Sequence, residues 1–213
     1  MDSDDRLLPH GLESLLEAAK GENGVAYGWC LVRGERREDA RLHGSPNSAG
    51  IPPTPVLANF RRSVITTPGS AIVKRTLHRQ VGGFVPGYEP MEDRDFWVKC
   101  GMLSSFAFCE TVVLDKTWRP MSAGTQIGKR ISSALKSQLA FFPWCRERGL
   151  DASFLDLTPV DLVNSALKDI LWHRRWEALP AIRAEADALN VRGYWYHRAN
   201  LQHRMLRLVG RRS

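Results

Sequence analysis

No uninterrupted apolar run in the 213 residues approaches the roughly 20 that a helix needs to cross a bilayer. A charged, apolar and small-residue leader is also lacking, so no secretory signal is expected. Cysteine is sparse: Cys30, Cys100, Cys109 and Cys145 share no close metal-type spacing, and they read as reduced thiols of a cytosolic protein. There is no Gly-x-Ser-x-Gly elbow, no His-Glu-x-x-His pair and no phosphate-cradling glycine loop with lysine. These absences remove the common hydrolase, zinc-protease and nucleotide-triphosphatase chemistries. The six histidines are scattered, and His197 and His203 are poorly spaced to share one helix face and one metal. No repeat of solenoid length is visible. Acid is missing beyond Asn190, where six arginines stand.

What is present is ordinary globular material, 43% hydrophobic and 25% charged, enough for one domain or a domain with an appendage. The net charge of +7 is unevenly placed. Residues 1–125 carry 15 Lys+Arg against 15 Asp+Glu, whereas residues 126–213 carry 15 against 8. A polarised basic end reads either as a solvated helical face or as attraction to lipid or nucleic acid.

Along the chain, Pro9 is expected at the first position of a helix carrying Leu12, Leu15 and Leu16 as its apolar stripe and ending by Gly21. Val25 to Val32 reads as a buried strand. Residues 34–55, charged and then rich in Gly, Ser and Pro, read as one long loop. Ile72-Val73 is expected in a strand entered through Pro68-Gly69, and Thr76 to Gln80 in a short helix stopped by Gly82-Gly83. Glu92 to Cys100 fits a helix with acids in its first turn and Phe96 and Trp97 inward. Phe106 to Leu114 contains a β-rich run. Beyond Gln126 helical periodicity takes over, with a start at Thr158-Pro159-Asp161 and apolar positions Leu162, Val163, Ala166, Leu167, Ile170 and Leu171. A final segment sets Leu201, Met205, Leu208 and Val209 opposite Arg198, Arg204, Arg207 and Arg211.

Two acidic groups carry possible chemistry. The chain opens Asp2-Ser3-Asp4-Asp5; clustered carboxylates suit a hard cation such as magnesium or manganese. A frayed acidic terminus, or Asp5 favouring a helix start, accounts for the same residues. Glu92-Asp93 follows Gly82-Gly83-Phe84 and the stretch Val-Pro-Gly-Tyr-Glu-Pro. A carboxylate there can serve as a general base, or it can simply cap a helix.

Taken in order, DSDDRLLPHGLESLLEA, VAYGWCLV, PGSAIVKRTLHRQVGGF and EPMEDRDFWVKC resemble family 2 glycosyltransferases of the GT-A fold, over residues 1 to about 125. The resemblance implies an incomplete GT-A (Rossmann-like) mixed-sheet α/β domain over 1–125, followed by a basic helical extension over 126–213. It implies that Asp2 and Asp4 bind a divalent metal (Mg or Mn) and the nucleotide-sugar diphosphate, with Asp5 as a supporting carboxylate. It places Asp93 as the base that activates an acceptor hydroxyl, Glu92 beside it, and Gly69, Ser70 and Ala71 on the acceptor side. With one base and direct displacement, the anomeric configuration would invert. The expected partners are a nucleotide-sugar donor and a saccharide or lipid-linked acceptor.

Two departures accompany the match. Where the family often has Arg-x-His after the last strand, this chain reads Trp118-Arg119-Pro120-Met121; Arg119 could neutralise phosphate, but Met121 is a soft, poor ligand for a hard cation. The family's nucleotide-binding half precedes the D-x-D motif, so it is expected on a preceding segment, on a partner, or lost in a non-catalytic remnant. Without it, exposed apolar surface is expected on this chain. The tryptophans Trp144, Trp172, Trp176 and Trp195 of the basic part either pack that part or, with the arginines, touch anionic lipid at the inner face of the membrane. A basic helical module gripping nucleic acid is a further class, without a recognisable nucleic-acid-binding motif.

Overall fold

The computed structural model describes residues 5–34, 40–65, 67–117 and 126–209, without the side chains of 61 and 207–209. The chain is mixed α/β with a mixed parallel and antiparallel sheet, and it divides into two compact units: Met1–Pro86 with Glu92–Ser122, and Gly87–Met91 with Ala123–Ser213.

The first unit is built around two long strands, β2 (Val25–Arg33) and β5 (Phe106–Thr117), paired in parallel. Three short strands complete the sheet, all antiparallel to their neighbours. β1 (Arg6–Leu7) lies on β5, while β3 (Arg41–His43) and β4 (Ala71–Val73) share the far edge of β2. Val25, Ala26, Tyr27 and Cys30 are fully buried, as expected for a central strand covered on both faces. The ladder slips at Gly28 and Trp29. A Cβ on Gly28 would stand 2.7 Å from Cys109 Sγ and 2.9 Å from the Thr111 carbonyl oxygen, so the bulge closes only around a residue without a side chain.

Helix α1 (Gly11–Ala18) packs on β5 through Leu15, which joins Cys30, Val113 and Leu114 in the core. The expected start at Pro9 is corrected. The Leu8 N–H is held by the Val113 carbonyl at 2.9 Å, and His10 turns left-handed (φ 61°) before the helix begins. The expected stripe is also only partly inward, since Leu12 and Leu16 are 48% and 56% exposed.

The long loop expected over 34–55 is corrected too. Within it lie β3 and a turn at Pro46–Ser48, and from Thr54 helix α2 (Thr54–Arg61) begins. Its Pro55 falls in the first turn, where a missing N–H leaves nothing unpaired. Val56, Asn59 and Phe60 are buried, and α2 packs against α4 (Glu92–Leu103). α3 (Arg75–Val81) ends at Gly82 and Gly83, both left-handed.

The second unit contains α5 (Ile127–Glu147), α6 (Pro159–His173), α7 (Leu179–Ala188) and α8 (Tyr194–Val209). α6 is the hub, packing on the other three through Leu162, Val163, Ala166, Leu167 and Ile170. Its start is a capping box: Asp161 N–H donates to Thr158 Oγ1 at 3.2 Å, and Thr158 N–H donates to Asp161 Oδ2 at 2.9 Å. All four cysteines are free. Among the described residues no helix is long and apolar enough to cross a membrane.

Candidate functional site

The acidic pair at 92–93 sits in the first turn of α4, where the backbone N–H groups favour negative charge. The helix continues as a wholly interior element: Arg94 through Gly101 are buried in succession. Two charges inside that run are reconciled by an i,i+4 ion pair, with Lys99 Nζ donating to Asp95 Oδ2 at 2.6 Å. Burial pushes the Asp95 carboxyl up, and Lys99 opposes the shift. Phe96 points inward against Phe84, His78 and Trp97, so the Gly-Gly-Phe segment is tied to the acidic helix by ring contact.

Asp93 is held differently. Burial pushes its pKa up to about 6; the Arg94 N–H, donating to Oδ1 at 2.6 Å, resists this, and the neighbouring Glu92 adds to it. A carboxylate ionised just below neutral pH matches the needs of a general base. Glu92 Oε2 is buried and makes no hydrogen bond within the protein. A buried oxygen without a donor costs on the order of 1–3 kcal/mol.

At one end of the sheet a second group forms around Asp5. Because β1 and β5 pair with Arg6 opposite Asp115, Asp5 falls opposite Lys116. The Lys116 ammonium lies 3.6 Å from Asp5 Oδ2 and donates to Thr67 Oγ1 at 3.4 Å; Thr67 Oγ1 in turn donates to the same Asp5 oxygen at 3.4 Å. Thr67 opens the turn Pro68–Ser70, in which Ser70 Oγ donates to the Thr67 carbonyl at 2.9 Å. Gly69 and Ser70 therefore follow the residue that contacts Asp5, and Ala71 leaves the turn to pair with Tyr27 in the sheet. Asp115 points to the neighbouring cations, accepting from Arg33 Nε at 2.8 Å and from Arg6 at 3.4 Å.

The expected site residues thus fall into two groups. Asp5, Gly69 and Ser70 are brought together through Thr67, while Glu92 and Asp93 share the start of α4. Asp2, Asp4, Arg119 and Met121 lie outside the described residues. Among those described, no three His, Cys, Asp or Glu side chains form a group able to hold a metal. Thr67 and Lys116 were not foreseen from the sequence; only the antiparallel register of β1 on β5 sets Lys116 opposite Asp5. No family model and no curated protein matches the chain.

Proposed function

We propose that this chain is the metal- and acceptor-binding part of a GT-A type glycosyltransferase, moving a sugar from a nucleoside diphosphate to a hydroxyl acceptor with inversion. The observation that carries this reading is the acidic pair at the head of α4, with Asp93 half-buried and ionisable near neutrality and Glu92 beside it. Asp93 takes the acceptor proton as the hydroxyl oxygen attacks the anomeric carbon; the diphosphate leaves from the opposite face. Glu92, lacking a donor within the protein, accepts a hydrogen bond from a second acceptor hydroxyl. Gly69, Ser70 and Ala71 line the acceptor side of the sheet.

Asp2 and Asp4, two hard carboxylates one residue apart, have the donor chemistry that suits magnesium or manganese. When bound there, such an ion supplies positive charge against the leaving diphosphate. Asp5, in contact with Lys116 and Thr67, acts as the supporting carboxylate. A nucleotide-binding half, on the same chain or another, needs an apolar surface to pack on, and Leu12 and Leu16 on α1 offer one.

A second reading, a glycosyltransferase remnant without turnover, is favoured by Lys116. An ammonium already beside the acidic motif does part of a cation's work. Two measurements separate the readings. Manganese titration followed by loss of the free-ion resonance is expected to show one site that vanishes in Asp2→Asn/Asp4→Asn and persists in Asp93→Asn. Nucleoside diphosphate release from a panel of nucleotide sugars is expected to fall by about 10²–10⁴ in Asp93→Asn. Metal binding without any release would establish the remnant, and turnover untouched by Asp93→Asn would refute the assignment of the base.

A further inference from the structure

The sequence pattern sets the apolar residues of the last helix opposite its arginines; the structure corrects this. Tyr196 and Ala199 are the buried positions of α8, so they define the side turned toward the rest of the unit. At about 100° per residue, Tyr194, Leu201 and Met205 lie within about 40° of one line on the other side. Leu201 and Met205 are 61% and 57% exposed. Arg198 and Arg204 flank this ridge, one on each side.

The neighbouring helix α6 packs against other sides of α8. Lys168 Nζ of α6 lies 5.1 Å from the Trp195 ring centre, and Trp176, just beyond α6, stacks on His203 at 6.0 Å. Trp172, near the end of α6, is 85% exposed. An indole that exposed is unusual in a protein whose other aromatics in this unit are engaged: Trp144 against Phe141 and Arg148, Trp176 against His203, Trp195 against Lys168.

We propose that this face of α8 is a docking surface for an anionic lipid bilayer. The ridge enters the boundary between headgroups and chains. The flanking arginines reach back to lipid phosphates while their stems remain on apolar surface. Tyr194 lies at headgroup depth, where a ring with one polar edge is most stable. Charge complementarity selects this occupant. From Asn190 to the end of the sequence there are six arginines and no acid, so a second copy of the same face would meet its own charge. An unstacked leucine and methionine ridge has nothing to offer a nucleic acid base.

The test is sedimentation of the full chain with vesicles of phosphatidylcholine containing about one quarter phosphatidylglycerol, against phosphatidylcholine alone. Binding is expected to the anionic vesicles, at least about tenfold weaker to the neutral ones, and weaker as salt rises from about 0.1 to about 0.5 M. Leu201→Glu/Met205→Glu is expected to bind roughly a hundredfold more weakly, with unchanged circular dichroism and melting because both positions are exposed. Brominated chains are expected to quench the tryptophan fluorescence of the wild type and not of the double variant. The proposal is overturned if anionic vesicles bring down no protein, or if the double variant binds them as well as the wild type. It is equally overturned if random-sequence RNA binds more tightly than the vesicles with no effect of the double variant, or if that variant instead dissolves a dimer.

Discussion

Replacing Asp93 by Asn is expected to make the protein more stable at neutral pH while removing the base. The unfolded carboxyl titrates near the ordinary aspartate value of 3.8, and the folded one at about 6. Between those values the native state holds a proton that the unfolded state has lost, so stability falls as pH rises through the window and stays low above it. About 2 pKa units at 1.36 kcal/mol each give close to 3 kcal/mol. Because Asp93 is only half-buried, solvent screening reduces the expected figure to about 1–3 kcal/mol. Asn keeps an oxygen to accept the Arg94 N–H and carries no charge to desolvate. Denaturant unfolding should therefore show wild type and Asp93→Asn equal near pH 4, with the variant ahead by that amount near pH 7.5. A variant that is no more stable at the higher pH, or ahead equally at both, would refute the claim that burial of the charge sets this pKa. In a turnover assay the same titration predicts that wild-type activity falls as pH drops below about 6.

Three further expectations rest on packing. Gly28→Ala forces a methyl against Cys109 Sγ and the Thr111 carbonyl, and should cost about 2 kcal/mol or more in thermal or denaturant unfolding; a neutral result would mean that the β2–β5 bulge is misplaced. Lys99→Met leaves Asp95 buried beside no ammonium and should cost on the order of 3 kcal/mol. Adding Asp95→Leu should recover most of that, so additive losses in the double-variant cycle would disprove the coupling. Thr158→Ala removes the hydroxyl that accepts from Asp161 N–H and should lower stability by about 1 kcal/mol, with Thr158→Ser retaining most of it; equal melting of all three would show that the capping box contributes nothing.

Several elements were legible in the residues because their cause is local. The acids of Glu92-Asp93 and the inward Phe96-Trp97 announce α4, Thr158-Pro159 with Asp161 announces α6, and Gly82-Gly83 stops α3, since capping and backbone freedom act within a few residues. Helix α2 was hidden for a local reason as well. Pro52, Pro53 and Pro55 read as a breaker, although a proline in the first turn is no obstacle. The arrangement of α8 was half legible: its periodicity marked two kinds of residue, but not which kind faces the protein. Packing of Tyr196 and Ala199 inward decided that, and turned Leu201 and Met205 outward.

By itself, then, the sequence determined where α3 ends and where α4 and α6 begin, that Val25–Val32 and Ile72–Val73 lie in strands, and that acids cluster at residues 2–5 and 92–93, because propensity, capping and charge repulsion operate between near neighbours in the chain. The tertiary structure alone decided that β2 and β5 lie parallel across more than seventy residues of sequence, and that β1 on β5 sets Lys116 and Thr67 against Asp5. It alone buried Asp93 enough to bring its titration near neutrality. Register and burial are set by which distant surfaces exclude water together, and no window of local sequence contains that information.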